Sequence, residues 1–314
     1  MRKEARLPFL AGRFHLHVIH WIPDEIPCRG VIHLVHGISE YINRYEDFAT
    51  YLNGHGFVVV GCDLPGHGLT APGPEDYGYF APKDGWKLVT QALLELADSI
   101  QDEYPDLPFF LMGHSMGSFL ARTMMIDRPN LAQGVILSGT GQLRAKTVTF
   151  GSSVTNFAVR TWGPRARSRR IERMSTGSYH RQFDPFRTVA DWISRDPEVV
   201  DRYLEDPLCT FLPTVSLFRD IIDGQRYIGD HRNIARMNPN IPYLIFSGDH
   251  DPVGERGEGV RRVFYALIRA GFTSVRLKLY PEGRHEMLNE INRGEVYEDI
   301  LAWLNKYQEA PHAV

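Results

Sequence analysis

Short, almost wholly apolar runs alternate along this chain with longer stretches in which apolar positions recur every three or four residues. Gly30 to Val35, Phe57 to Cys62, Pro108 to Met112, Gly134 to Leu137 and Ile241 to Phe246 are of the first kind. They are too short for helices and are bounded by turn residues, so they predict strands buried on both faces, as a parallel sheet requires. Trp86 to Ile100 is of the second kind, with Leu88, Leu93, Leu96, Ala97 and Ile100 on one face and Asp84 as the start signal. Met116 to Asp127 predicts another helix, immediately after a strand. Ser274 to Tyr280 alternates apolar and polar residues and predicts a further strand. Beyond it, Met287, Leu288, Ile291, Val296, Ile300, Leu301 and Leu304 form a helical stripe with Trp303 beside it. Strands alternating with helices predict an α/β fold: a mostly parallel central sheet flanked by helices.

From about Gln142 to Arg232 the alternation stops. Thr147 to Trp162, Asp196 to Leu204 and Pro213 to Ile222 read as helices separated by Gly163-Pro164, Gly177 and Pro207. The expected organisation is a core in two parts, residues 1–141 and 233–314, with a helical cap or lid, residues 142–232, inserted between them. Neither an internal repeat nor a low-complexity tract is seen.

The strand at Phe109 runs into Gly113-His114-Ser115-Met116-Gly117, and a helix pattern follows at once. Glycines on both sides of Ser115 suit a corner too tight for side chains, which would hold the hydroxyl above the sheet edge at a helix N-terminus. A serine hydroxyl is a weak nucleophile near neutral pH and needs a base and a group to orient that base. In chain order the acid should come before the histidine. After Ile241 to Gly248 come Asp249 and Asp251. The turn carries Asp251 further over the sheet edge and Pro252 fixes the chain behind it, which favours Asp251; Asp249 reads as a turn residue. His285, in the loop after Tyr280, then stands at the same edge as the base. The oxyanion donors expected are the backbone N–H groups of Met116, just after the nucleophile, and of Ile38, where Gly37 lets the loop after Val35 turn inward. His36 and His67 read as side chains that hold loop shape.

These segments resemble the α/β-hydrolases, and within them the monoglyceride lipase and lysophospholipase-like group that is also classed with the serine aminopeptidases. The resemblance rests on His36-Gly37-Ile38-Ser39-Glu40 with Arg44-Tyr45, on Asp63-Leu64-Pro65-Gly66-His67-Gly68, on Gly113-His114-Ser115-Met116-Gly117, and on the loops Gly248 to Val253 and around His285. It covers most of residues 30–140 and 240–305. It implies an α/β-hydrolase fold, Ser115, Asp251 and His285 as a triad, Ile38 and Met116 as donors, and hydrolysis of single-chain acyl esters such as monoacylglycerols or lysophospholipids. The group usually has a small residue where Ile38 stands and often a histidine where Tyr41 stands, so Ile38 is expected to narrow the acyl site. Helices laid over the edge would line such a site with apolar side chains. Phe150, Phe157, Phe211 and Leu217 are the expected substrate contacts, with Val154, Leu212 and Phe218 near them. An aminopeptidase using the same triad would need a cap carboxylate for the substrate amine, and Glu172, Glu198 and Glu205 are available. A catalytically silent binding protein is disfavoured because no triad position is missing.

Composition alters this picture little. A formal charge of −3 over 314 residues gives no reason to expect nucleic-acid binding. The start, Met1-Arg2-Lys3-Glu4, is followed by no apolar signal core and no run is long enough to span a bilayer, so a cytoplasmic protein is expected. The three cysteines, Cys28, Cys62 and Cys209, fit neither a disulfide framework nor a zinc site. No metal or other cofactor is expected. The one local charge excess, Arg165, Arg167, Arg169, Arg170 and Arg173, reads as a solvated face or as an attraction to a lipid surface, giving transient membrane contact through the cap.

Overall fold

The computed structural model describes residues 1–308. One eight-stranded sheet runs through it in the order β1-β2-β4-β3-β5-β6-β7-β8. The strands are β1 (Arg2–Phe9), β2 (Phe14–Trp21), β3 (Gly30–Val35), β4 (Phe57–Cys62), β5 (Phe109–His114), β6 (Gly134–Ser138), β7 (Tyr243–Gly248) and β8 (Val275–Tyr280). From β4 to β8 all neighbours are parallel, whereas β1 and β2 form an antiparallel hairpin at one edge. β1 is charged and mostly exposed, as an unpaired edge tolerates, and for that reason lacks the apolar signature of the inner strands.

The helices are α1 (Glu46–Asn53), α2 (Gly85–Glu103), α3 (Met116–Asp127), α4 (Ala145–Trp162), α5 (Arg169–Ser175), α6 (Pro197–Glu205), α7 (Val215–Gly229), α8 (His231–Ile234), α9 (Glu258–Arg269) and α10 (Arg293–Tyr307). Side chains of a strand alternate between faces, and the core divides accordingly. Val31, Val35, Val58 and Val60 pack with α2, α3 and α9. Ile32, Leu34, Phe57 and Val59 pack with α1 and α10 on the opposite face. Both faces are thus covered, and the carboxyl ends of β3 to β8 open on a single edge.

Between β6 and β7 the chain leaves the sheet for α4 to α8, of which α7 packs against α2 and α3 and α8 against α9. α6 begins at Pro197 because the Asp196 carboxylate accepts the Glu198 N–H at 3.0 Å. α7 begins at Val215, later than its apolar pattern suggests, because the Thr214 hydroxyl accepts the Leu217 N–H, and it continues to Gly229. Asp84 does precede α2, but in a left-handed conformation with φ 55° and no side-chain capping bond. Ile291, expected in the last helical stripe, lies in the exposed turn before α10. Among the described residues, no helix is long and apolar enough to cross a membrane.

Candidate active site

Ser115 stands between β5 and α3 with φ 52° and ψ −123°, a backbone conformation costly for any residue with a side chain. The corner closes because its neighbours are glycines. A Cβ at Gly117 would collide with the carbonyl oxygens of Val35 and His36, and one at Gly113 with the backbone of Gly117 and Ser118. The Ser115 N–H donates to Ser138 O at 2.9 Å, tying the turn to β6. Ser115 is 7% exposed, at the N-terminus of a twelve-residue helix.

His285 lies in the loop after β8, its ring over Gly139, where an added Cβ would come within 2.9 Å of His285 Cε1. Its Nδ1 is 3.0 Å from Asp251 Oδ2. Asp251 is fully buried, and it also accepts from the Ser247 hydroxyl at 2.7 Å and the Val253 N–H at 2.8 Å. Burial works against the charge of each partner. The attraction between them and the other donors to Asp251 outweigh it, so the aspartate is held below its ordinary range and His285 above 6.5. Asp249 is turned outward, its side chain 41% exposed beside His250. It is Asp251, therefore, that meets the histidine.

The loop after β3 presses against the serine. A Cβ on Gly37 would stand 2.9 Å from Ser115 Cβ, so only glycine lets this backbone approach. The Gly37 N–H donates to Glu40 Oε1, and Tyr45 donates to the same oxygen at 3.0 Å. Arg44 bridges Glu40, at 3.2 Å, to Glu286, which it holds through two bonds of 2.7 Å. Burial pushes the Glu40 carboxyl up to about 7 against the pull of Arg44. At Glu286 burial is again the largest influence, yet the two-pronged Arg44 contact overrides it and holds the carboxyl at about 2. Ile38, half-buried, and Met116, buried, flank the serine on these two segments. His36 fastens the loop from beneath: its Nδ1 is 2.7 Å from Gly37 O and its Nε2 accepts the Leu64 N–H at 2.9 Å, as a neutral ring. Burial drives it down to about 4.

The expected substrate contacts are not gathered in one wall. Phe150 and Phe157 are 59% and 64% exposed and share an apolar groove with Trp162, Ile171 and Met174. Leu217 is fully buried in the main core, where it meets protein and cannot touch a ligand without the core opening. Phe211 packs edge-on against His67 at 5.5 Å. Of the cap carboxylates, Glu198 has an 85% exposed side chain, Glu172 closes on Gly177, and Glu205 borders a cavity with Tyr41, Arg44 and Cys209. Cys209 is itself buried, which pushes its thiol up. Among the described residues no cluster of three or more His, Cys, Asp or Glu could hold a metal ion. Sequence reasoning missed Ser247, near the end of β7 and four residues before its partner Asp251, and Glu286, whose partner Arg44 lies in a distant loop. It also missed Trp192, between α5 and α6, whose ring lies 5.2 Å from that of His285.

A serine at a strained strand-to-helix corner, a buried aspartate–histidine pair on later loops of the same sheet edge, and helices inserted after β6 define an α/β-hydrolase. The chain belongs to the serine aminopeptidase S33 family, which it matches over residues 26–292. It is 28% identical to a monoacylglycerol lipase of Mycolicibacterium smegmatis over 299 residues, 90% of each chain. In structure it resembles a thermostable carboxyl esterase from Bacillus coagulans solved with glycerol, at TM-score 0.90, 29% identity and coverage of 98% of this chain and 99% of that one. It also resembles the monoacylglycerol lipase of Paleococcus ferrophilus, at TM-score 0.71 and 27% identity over 93% of this chain and 99% of that one.

Proposed function

We propose that this protein cleaves single-chain acyl esters, of the monoacylglycerol or lysophospholipid kind, through an acyl-enzyme on Ser115. Its relatives make it a carboxylic-ester hydrolase; the substrate and the roles of individual residues are our reading. What carries it is the buried Asp251–His285 pair at 3.0 Å, beside a serine held with positive φ. In this mechanism His285 Nε2 takes the Ser115 proton as the oxygen attacks the carbonyl, and the N–H groups of Ile38 and Met116 receive the oxyanion. His285 passes the proton to the leaving alcohol, then takes one from water as the water oxygen attacks the acyl carbon, and returns it to Ser115 Oγ as the acid leaves. Asp251 keeps the Nδ1 proton in place throughout. Residues 142–232 act as the cap, and Phe211, against the loop after β4, is the best placed of the proposed wall residues.

An apolar acyl site gains about 0.8 kcal/mol per methylene buried, so kcat/KM should rise up to about fourfold per added carbon until the site is filled. A panel of monoacylglycerols, lysophospholipids, p-nitrophenyl esters of increasing length and aminoacyl anilides tests this. Fastest turnover on an anilide, with no gain from chain length, would replace the ester reading by the aminopeptidase one.

The same reading brings the cap to a lipid surface. Residues 144–181 hold nine of the 35 Lys and Arg and one of the 38 Asp and Glu. They expose Phe150, Phe157, Trp162 and Met174 beside Arg169, Arg170 and Arg173. Each such cation near an anionic surface contributes about 1 kcal/mol. Reversing Arg169, Arg170 and Arg173 to Glu should therefore lower partition onto phosphatidylglycerol vesicles by at least about 100-fold in a sedimentation assay. Equal partition of the native protein and this variant would remove the contact from the proposal.

A further inference from the structure

The cap does more than cover the site, because one of its segments is sewn to the loop that carries His285. The His285 N–H donates to Trp192 O at 3.3 Å and the Glu286 N–H to Ile193 O at 2.7 Å. The Ser194 hydroxyl donates to Asn289 O at 2.9 Å, and Arg195 donates through both its backbone and its side chain to the buried Glu290. The first two of these bonds set the backbone of Trp192 against that of His285, and the Ser194 and Arg195 bonds hold the two segments together beyond it. The indole then lies on the imidazole, with ring centroids 5.2 Å apart and planes 37° from parallel. Tyr179 meets the indole edge-on at 5.2 Å, limiting its rotation. On the core side of His285, the His114 ring stands at 4.7 Å.

His285 is thus flanked by two rings of different character. Burial drives His114 down to about 3, so it stays neutral and adds no repelling charge. An indole presents a negative π-face, which attracts a cation. We infer that Trp192 is a positioning residue for His285, supplied by the cap, which keeps the imidazole in line with Asp251 and stabilises the imidazolium formed while Ser115 is acylated and deacylated. The inference rests on the proposed role of His285 as base. It makes the cap part of the proton-transfer apparatus, so that a chain whose cap is displaced loses turnover on small substrates as well as large ones.

The charged and titratable groups around His285 are Asp251 after β7, Arg284 and Glu286 on its own loop, Glu40 and Arg44 after β3, His114 on β5, and Tyr179 and Asp191 on the cap segment packed against it. None is altered by a substitution at Trp192. The test compares Trp192→Leu and Trp192→Phe with the native protein, using a short soluble p-nitrophenyl ester that needs no acyl tunnel. Loss of the π-face disfavours the charged ring, so the rise of rate with pH should move about half a pH unit lower. In Trp192→Leu kcat should fall about five- to tenfold with KM within about twofold, and Trp192→Phe should recover most of both effects. A purely structural tryptophan would change melting temperature or KM and leave the pH midpoint in place. Unchanged kcat and midpoint in Trp192→Leu, or Phe no better than Leu, overturns the inference.

A second readout needs neither substrate nor the leucine variant. An imidazolium quenches a neighbouring indole, so native fluorescence should step upward as His285 loses its proton. That step should vanish in both Trp192→Phe and His285→Gln. A step that persists in both overturns the proposed contact. Because this titration involves no ester, it separates failure of the inference from failure of the esterase reading, which the native protein's activity on the ester reports.

Discussion

Ser115→Ala and His285→Ala are each expected to lower kcat on the best ester by on the order of 10³-fold or more, with KM little changed. In the proposed mechanism the first removes the atom that becomes acylated and the second the group that accepts its proton. What remains is binding and the oxyanion donors. Since the two residues act in one proton transfer, the double variant should cost hardly more than either alone, a non-additivity that two independent defects would not produce. Folding should survive both changes. Alanine at 115 inherits the same positive φ and loses one oxygen, so its melting temperature should stay near native, whereas His285→Ala leaves the buried Asp251 without its partner and should melt lower while still folded. Near-normal turnover by purified Ser115→Ala would refute the mechanism.

Asp251→Asn should reduce kcat by about 10⁴-fold, while Asp249→Asn stays within about twofold of the native rate. The contrast follows from the surroundings. Asp251 is fully buried and bonded to His285, Ser247 and Val253, whereas the Asp249 side chain is 41% exposed. An amide at 251 can donate to Nδ1 and so turn the imidazole to the tautomer that has no lone pair for the serine. The pH profile carries a sign as well. His285 is held above 6.5 in the native protein, so the rate should rise with pH through a midpoint above that value, as the ring becomes neutral. Without the negative charge of Asp251 the imidazolium is less favoured, and the residual rate should rise at lower pH. A midpoint that stays fixed in Asp251→Asn would show that another group governs the profile.

The inner strands were legible because each is a short apolar run and because the sheet alternates its faces with period two. The Ser115 corner was legible because glycine is needed at two fixed positions around it. Asp251 and His285 could be read from their places after strands that end on one edge. β1 was not legible, since a charged edge strand has no apolar face to show, and in β2 histidines at 15, 17 and 20 interrupt the apolar run of Leu16, Val18, Ile19 and Trp21. Nor were Glu286 and Trp192. Glu286 is unremarkable until Arg44, 242 residues earlier, is folded against it. Trp192 belongs to no motif, and the bond that joins it directly to His285 runs between backbone atoms, which leave no trace in residue type. Phe150, Phe157 and Leu217 show the converse: apolarity made them candidates, but a solvent groove and the core compete for apolar residues, and sequence does not say which wins.

The Arg44 clasp also bears on how the protein is assembled during folding. Glu40 and Arg44 are made early, and the carboxylate that completes them, Glu286, belongs to almost the last segment of the fold. Until β8 and its following loop are in place, Arg44 has one buried carboxylate where the finished structure provides two, and His285 is absent from the edge. Closing so long a loop is slow relative to local structure. A partly folded chain can therefore hold Ser115 at its corner for some time while lacking its base and a settled oxyanion loop. Hydrolytic competence should appear late and together with completion of the sheet, which makes recovery of activity a strict reporter of complete refolding.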